Sequence, residues 1–348
     1  MEKGELRVGI IGYGLAGRVF HAPVVAATPG LAVAAVSTSD PDRAAEAAAR
    51  YPGVTVVASA DELFDVRPAL DLVVVATPNR HHARLALQAI DAGLPVVVDK
   101  PLTPDVASAE EIVSAAAAKA VPVTVFQNRR WDDDYLTIQR LVRDGELGQV
   151  TRLESRFERW RPMVRAGWRE LPGADAGGLL LDLGSHLVDQ ALQLLGPATS
   201  VYAELDRRRP EAQVEDDVFI ALTHANGARS HLWASHVVPV LGPRFRVLGL
   251  RGGVETYGLD PQEAALRDGG SPGTPGWGSD GRTARIGTPD GYREEALEPG
   301  DYSRFYAGVV AALRDGAPLP VDVAAAAHVV QVLDAARRSA NSGTTVSV

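Results

Sequence analysis

Leu6 to Ile11 is an apolar run that passes without a break into Gly12-Tyr13-Gly14-Leu15-Ala16-Gly17. The run reads as a buried strand, and a helical pattern follows from about Leu15 to Ala27, ending near Pro29-Gly30. A G-x-G-x-x-G spacing between strand and helix has a physical logic. Gly12 permits the tight turn, Gly14 lets the backbone approach a pyrophosphate, and Gly17 lets helix and strand pack closely. The N–H groups of the first helical turn, around Leu15 and Ala16, remain for the phosphates. A second apolar run, Leu31 to Val36, arrives on schedule and completes a unit of about 30 residues. The pattern predicts dinucleotide binding; the alternative is a glycine turn that serves packing alone.

The second strand decides which dinucleotide. An acid is expected about 20 residues beyond the glycines, hydrogen-bonded to the adenosine ribose. Here the strand ends Val36-Ser37-Thr38-Ser39-Asp40-Pro41. A carboxylate would repel a 2′-phosphate, whereas the hydroxyls of Ser37, Thr38 and Ser39 and the guanidinium of Arg43 can accept one. The expected cofactor is NADP(H). NAD(H) is the alternative, with Asp40 turned in to take the acid's part.

Strands and helices go on alternating. Thr55 to Val57 and Asp71 to Ala76 read as strands, Ala60 to Asp65 and Arg80 to Ala92 as helices, and Gly93 stops the last. Val96-Val97-Val98-Asp99-Lys100-Pro101 is a β-branched run ending in an acid, a lysine and a proline. It fits a strand buried on both faces that delivers Lys100 to the carboxyl end of the sheet, where open α/β sheets bind ligands. A lysine there can give a proton or a hydrogen bond to a reacting oxygen, or simply close a strand at the surface. A helix from Asp105 to Lys119 and a strand from Val121 to Phe126 complete a doubly wound parallel sheet, closing a first domain over residues 1–127.

Residues 128–348 follow another grammar. A polar helix, Asp133 to Arg143, precedes alternating segments at Val150–Trp160, Ser200–Asp206, Asp217–His224, Arg229–Val237 and Arg244–Leu250, read as antiparallel strands. One helix, Leu179 to Leu195, interrupts them. Asp268 to Gly291 reads as a long loop, and Tyr302 to Arg314 and Val321 to Ser342 as closing helices. The expectation is an α+β domain on a large, mostly antiparallel sheet that binds substrate and supports oligomerisation.

Composition removes several classes of function. With 46% apolar and 23% charged residues, the 348-residue chain is an ordinary globular protein. A formal charge of −9 and the lack of basic runs argue against nucleic acid. Zero cysteines rule out disulfides, a thiolate nucleophile and a Cys-based zinc site. The polar start, Met1 to Arg7, does not read as a signal peptide, and no 18-residue apolar run reads as a membrane span. A cytoplasmic protein without membrane contact is expected.

Within the interrupting helix, Asp182-Leu183-Gly184-Ser185-His186 puts an acid and a histidine at i and i+4, on one face. A histidine titrates near neutrality and can exchange a proton with an alcohol, and a carboxylate one turn away can orient it. The bland alternatives are an acid at a helix start, a satisfied core histidine, or a metal pair with Asp189, for which no third ligand appears at diagnostic spacing. Gly177-Gly178 suggests close backbone approach. Tryptophan and arginine cluster at Asn128-Arg129-Arg130-Trp131-Asp132, Arg156, Arg159-Trp160-Arg161 and Trp168-Arg169, which suits either a polyhydroxylated ring or a subunit interface. Asn128 to Asp132 is assigned to substrate because it leaves a parallel strand; of His81 and His82, one is expected to face the cofactor.

These motifs together resemble the Gfo/Idh/MocA family of NAD(P)-dependent sugar and polyol oxidoreductases across essentially the whole chain. The resemblance rests on Gly12-x-Gly14-x-x-Gly17, Thr77-Pro78-Asn79 with His82, Asp99-Lys100-Pro101, and Gly177-Gly178 followed by Asp182-x-x-x-His186. Asp99 departs from the family's usual Glu-Lys-Pro. Phe20-His21-Ala22-Pro23, Asn128-Arg129-Arg130-Trp131-Asp132 and Gly276-Trp277-Gly278 look like its NADP-dependent scyllo-inositol dehydrogenase branch. The resemblance implies a Rossmann domain, a GAPDH-like sheet domain paired into dimers or tetramers, and Lys100, Asp182 and His186 as the catalytic set. The expected cofactor residues are Gly12, Gly14, Leu15, Ala16, Gly17, Ser37, Thr38, Ser39, Arg43, Thr77, Pro78, Asn79, His82, Asp99, Lys100 and Gln127. The expected substrate residues are Lys100, Asn128, Arg129, Trp131, Asp182 and His186, with no metal. Interconversion of a secondary alcohol and a ketone on a polyol or sugar is implied, inositol-like first. The rivals are action on another aldose or ketosugar, redox-assisted glycoside hydrolysis and a non-catalytic NADP-binding regulator.

Overall fold

The computed structural model describes residues 4–164, 167, 170–172 and 177–348. By contact the chain forms two compact units. The first comprises Met1–Asn128 with two later segments, Gln262–Trp277 and Asp301–Ala327; the second comprises Arg129–Pro261, Gly278–Gly300 and His328–Val348.

The first unit is built on six parallel strands: β1 (Leu6–Ile11), β2 (Leu31–Ser37), β3 (Thr55–Val57), β4 (Leu72–Val75), β5 (Val96–Asp99) and β6 (Val123–Phe126). Their order is β3-β2-β1-β4-β5-β6, with the switch between β1 and β4. This is the doubly wound Rossmann arrangement, whose ligands sit beyond the carboxyl ends of the strands at that switch. Val96, Val97 and Val98 are buried, as their β-branched run requires of a central strand covered on both faces. The expected start of β6 at Val121 moves to Val123 because Pro122 lacks the N–H a ladder needs.

The connections carry α1 (Ala22–Ala27), α2 (Pro41–Arg50), α3 (Ala60–Phe64), α4 (His82–Asp91) and α5 (Val106–Lys119). The helix after the glycines begins as a wide π-turn, Ala16–His21, in which the Ala22 N–H bonds the Gly17 carbonyl. Pro23 explains the widening: its ring would crowd the carbonyl of Val19, and it has no N–H to offer there. The late segments add α8 (Gln262–Arg267) and α9 (Ser303–Asp315). Gln262 Oε1 accepts from the Trp277 indole N–H at 3.2 Å and the Tyr302 N–H at 2.8 Å.

The second unit holds β7 (Val150–Glu158), β8 (Ala198–Asp206), β9 (Asp217–His224), β10 (Arg229–Ser235), β11 (Phe245–Gly249), β12 (Gly253–Thr256), β13 (Thr283–Thr288), β14 (Gly291–Ala296) and β15 (Val346–Ser347). They form one nine-stranded sheet in the order β14-β13-β12-β11-β7-β10-β9-β8-β15. Two expectations need correcting. β7 and β10 pair in parallel, not antiparallel; the helical connection after β7 returns the chain as β8 in the same direction, and the antiparallel pairs β8–β9 and β9–β10 bring β10 back to that direction. The stretch 268–291 is not all loop, since β13 occupies part of it. Only Ala284 and Ile286 of β13 are buried, and β14 is an almost wholly exposed edge, so neither carries a strong apolar pattern.

Side chains alternate along β9 and β10, one face buried. That face packs against α6 (Asp133–Arg143), α7 (Ser185–Leu195) and the later turns of α10 (Val323–Ser342). Tyr135, Ile138, Leu153, Phe157, Leu187, Val188, Ile220, Leu232, Val247 and Leu333 form its core. Each such side chain removed from water contributes about 1.5–3 kcal/mol.

Candidate active site

The glycine turn has the shape its spacing predicts. Gly12 has φ +93, and a Cβ on it would stand 2.8 Å from the Ala76 carbonyl oxygen. A Cβ on Gly17 would come closer than 3.0 Å to the Gly12 carbonyl oxygen, so helix and turn touch there through backbone alone. Gly14 differs: a Cβ on it would meet only Arg43 Nη1, at 3.9 Å. Space open to a ligand therefore lies against Gly14, with the Arg43 guanidinium beside it. The Ser37 hydroxyl accepts the Gly12 N–H at 3.1 Å and the Ser37 carbonyl accepts the Tyr13 N–H at 3.0 Å, locking the end of β2 to the turn. Thr38 and Ser39 follow on the surface side. Asp40 is engaged elsewhere: it caps α2, accepting the N–H groups of Asp42 and Arg43 at 3.0 and 3.2 Å, and pairs with Arg43 Nε at 3.2 Å. These residues suit a phosphate-bearing dinucleotide, with backbone N–H groups, an open glycine and a guanidinium where anionic oxygens would lie.

β5 ends at Asp99, and Lys100 follows with Pro101. His82, at the start of α4, is fully buried, its Nδ1 2.8 Å from the Pro101 carbonyl oxygen and its Nε2 2.9 Å from that of Thr77. The ring thus ties Thr77-Pro78-Asn79 after β4 to Lys100-Pro101 after β5. Burial lowers its pKa against the pull of Asp99 and the carbonyls. Both nitrogens face protein, so His82 holds the two motif loops in place. His81 lies beside Arg80, whose Nε donates to its Nε2 at 3.0 Å. Gln127 and Asn128 are buried where β6 ends.

Asp99 has neighbours that sequence spacing does not reveal. His21, from the π-turn, is fully buried, with Nδ1 2.6 Å from the Tyr306 hydroxyl and Nε2 3.5 Å from Asp99 Oδ1. Burial alone would push the Asp99 carboxyl up; the hydrogen bond and charge of His21, with Lys100 and His82, bring it below the usual carboxylate range. Of the 35 lysines and arginines, only Lys3, Lys100 and Lys119 are lysines. Lys119 makes a surface pair with Asp91 at 2.8 Å.

In the second unit, Asp182 and His186 lie where a π-turn, Leu180–Gly184, runs into α7, which keeps them about one turn apart. His186 is buried, its ring 6.3 Å from Phe157. The close approach expected at Gly177-Gly178 is to protein. Gly178 has φ +102, a Cβ there would enter the Glu215 carboxylate, and Glu215 Oε1 accepts the Leu180 N–H at 3.1 Å. Glu215 anchors the start of the helical segment that carries Asp182 and His186, and a lone acid in a loop gives no sequence signal of that. His236, just past β10, was also invisible beforehand. Burial, then Arg209, Arg161 and Arg159, push its pKa down to about 4, and Asp182 opposes them, placing a neutral imidazole within the field of Asp182.

The Asn128 to Asp132 stretch is turned largely inward. The Arg129 guanidinium pairs with Asp132 at 3.5 Å and lies over Phe157, and the Arg129 carbonyl accepts from Gln190 Nε2 at 2.7 Å. Arg130 makes a two-pronged bond to Asp189, at 2.8 and 2.7 Å. Trp131 keeps partial exposure. Trp160 is exposed and bridges to Val237, while Trp168 and Arg169 lie outside the described residues. Among the described residues, no group of three or more His, Cys, Asp or Glu could hold a metal, and no helix is long and apolar enough to cross a membrane.

The acids opening α6 carry a stability consequence. Burial, then Asp134 and Asp260, push Asp133 up to about 8 against Arg282, whose Nη2 bonds Asp133 Oδ2 at 2.6 Å. Above an unfolded pKa of about 3.9, the folded chain keeps a proton that the unfolded chain has released. This stabilisation is complete at low pH and is lost as pH rises toward 8. Asp133→Asn is expected to flatten the fall in urea midpoint between pH 5.5 and 8; an unchanged slope would place the proton elsewhere.

Comparison with known proteins agrees with this architecture. Residues 6–127 match "Oxidoreductase family, NAD-binding Rossmann fold", and residues 139–348 match "Oxidoreductase family, C-terminal alpha/beta domain". The chain is 39% identical to the uncharacterized oxidoreductase YdgJ of Escherichia coli, covering 98% of each chain. It is 35% identical to the scyllo-inositol 2-dehydrogenase (NADP(+)) IolW of Bacillus subtilis, over 98% of this chain and 95% of that one. A solved oxidoreductase structure from Klebsiella pneumoniae superposes with a TM-score of 0.90 at 37% identity, over 99% of this chain and 96% of that one. With both domains matched in order along a six-stranded Rossmann sheet and a nine-stranded sheet, the chain belongs to the Gfo/Idh/MocA family of oxidoreductases.

Proposed function

We propose that this oxidoreductase uses NADP(H) to interconvert a secondary alcohol and a ketone on a polyol or sugar ring, with scyllo-inositol and its inosose as the leading pair. The observation that carries the reading is Lys100 itself. In a chain whose other cations are nearly all arginines, a lysine ends the β5 segment. A lysine ammonium is a compact point charge with rotatable donors where an arginine guanidinium is a wide planar fork, so the choice suits a charged hydrogen bond to one reacting oxygen. The full-length likeness to the Bacillus subtilis enzyme supports the substrate class.

Gly12, Gly14, Leu15, Ala16, Gly17 and the ends of β2, β4 and β5 would hold the cofactor, which supplies hydride exchange at its nicotinamide when bound. The chain's own groups handle the proton. In oxidation, His186 takes the hydroxyl proton while Lys100 steadies the developing oxyanion; in reduction the same steps run backwards, His186 returning the proton to the oxygen that Lys100 holds. Asp182 orients His186, and neutral His236 is available to hydrogen-bond a further hydroxyl. NADP(H) preference rests on Asp40 being committed to capping α2 while Arg43 lies beside Gly14.

Rates with NADPH and NADH on inositols, inososes and common aldoses test the whole reading. A kcat/KM at least tenfold higher for NADPH, falling by about 10–100-fold in Arg43→Ala with NADH unaffected, is expected from loss of a charge-assisted phosphate contact. Equal use of both cofactors would remove the preference, and no turnover on any polyol would remove the substrate class.

A further inference from the structure

We propose that Tyr306 and His21 are positioning residues that hold the Asp99 carboxylate as an anion beside Lys100, so that this buried chain governs how far turnover extends into acid. The inference rests on the reading of Lys100 as the group that steadies the reacting oxygen. Its geometry lies within the first unit. The His21 ring packs 4.4 Å from Phe126, which in turn meets Phe305 at 5.0 Å and Tyr306 at 5.7 Å. The imidazole is therefore fixed in place, with Nδ1 on the Tyr306 hydroxyl at 2.6 Å and Nε2 facing Asp99 Oδ1 at 3.5 Å. Among the described residues, His21 Nε2 makes no close hydrogen bond, and the Asp99 carboxylate at 3.5 Å is the acceptor it faces.

That arrangement selects a tautomer. The Tyr306 phenol is fully buried, and burial together with the charge of Asp99 raises its pKa, so it keeps its proton and can donate a hydrogen bond to Nδ1. The imidazole proton then resides on Nε2 and points at Asp99. The opposite tautomer would aim a lone pair at a carboxylate. The titratable groups facing Asp99 are His21 from the π-turn, His82 from α4, Tyr306 from α9 and the adjacent Lys100; β6 contributes only the Phe126 ring. Three of the four favour the anion, and Tyr306 contributes through His21. A carboxylate locked in this way balances the charge of the adjacent Lys100.

Two measurements on the full chain test this. In protein labelled with 15N-histidine, with His21→Gln identifying the resonance, His21 is expected as the Nε2–H tautomer at pH 7.5. In Tyr306→Phe it is expected to become a mixture of tautomers. An Nδ1–H ring in the wild type, or an unchanged spectrum in Tyr306→Phe, overturns the proposal, and neither needs a substrate. Second, with the inosose and NADPH as probes, the direction in which His186 is needed protonated and imposes no acid limb of its own, the acid limb of kcat is expected to move up by about one pH unit in Tyr306→Phe and His21→Gln, with KM for NADPH within about twofold. A loss of kcat with an unmoved limb would mean a purely structural role. Lys100→Met run alongside separates the two readings. Its inactivity with an unmoved limb in the other variants sinks this inference alone, whereas its full activity removes Lys100 from the chemistry and the inference with it.

Discussion

Lys100→Met is expected to lower kcat by about 10²–10⁴-fold, the range supplied by a positioned general acid or base. The dissociation constant for NADPH, read by fluorescence titration, is expected to stay within a few-fold of wild type. Methionine keeps the length and apolar stem of lysine but can neither donate a proton nor steady an oxyanion. Lys100→Arg sharpens the test. It preserves the positive charge beside Asp99 but replaces a compact ammonium by a wide planar guanidinium that does not fit one donor onto the reacting oxygen in the same space, so it should fall almost as far as methionine. Near-wild-type turnover in the arginine variant would reduce the role of position 100 to charge alone. Near-wild-type turnover in both would leave proton transfer to Asp182 and His186.

Gly17→Ala is expected to have the largest effect on the fold. The added carbon would press into the Gly12 carbonyl oxygen, and Gly12 is itself pinned against Ala76 and bonded to Ser37. Neither backbone can give way cheaply. A cost of about 3 kcal/mol fits a small-to-large change in a closed contact, lowering Tm by roughly 6–12 °C for a domain of this size, with dinucleotide binding lost as the turn opens. Gly14→Ala is the informative partner. Its Cβ meets only Arg43, so Tm should hold while NADPH affinity falls tenfold or more, because the carbon would occupy the space open to a ligand. Wild-type affinity in Gly14→Ala would mean that the turn serves packing only.

The site was legible in unequal parts. The glycine turn, the hydroxyl-ended β2 and the Val96–Pro101 segment could be read directly, because each is a local pattern whose chemistry depends on a few adjacent residues. Asp182 and His186 were legible as a helical pair, although the π-turn that carries them was not. His21 stood inside a recognised run, Phe20-His21-Ala22-Pro23, yet nothing nearby announced its role; its partner Tyr306 lies 285 residues away. Glu215 and His236 were equally silent. Spacing along Asn128 to Asp132 likewise did not reveal that the Arg129 guanidinium pairs with the Asp132 carboxylate at 3.5 Å.

The sequence by itself determined the parallel sheet of the first unit, its cofactor-binding turn, the antiparallel character of most of the second sheet, and the candidates Lys100, Asp182 and His186. All of these follow from periodicity, glycine placement and residue chemistry over short windows. Tertiary structure alone decided that β7 and β10 run parallel, that the segments 262–277 and 301–327 join the first unit, and that Asp99 acquires a histidine and a tyrosine behind it. These outcomes depend on which distant surfaces win the competition for burial. That competition is settled by simultaneous packing of many side chains, and no short stretch of the chain records its result.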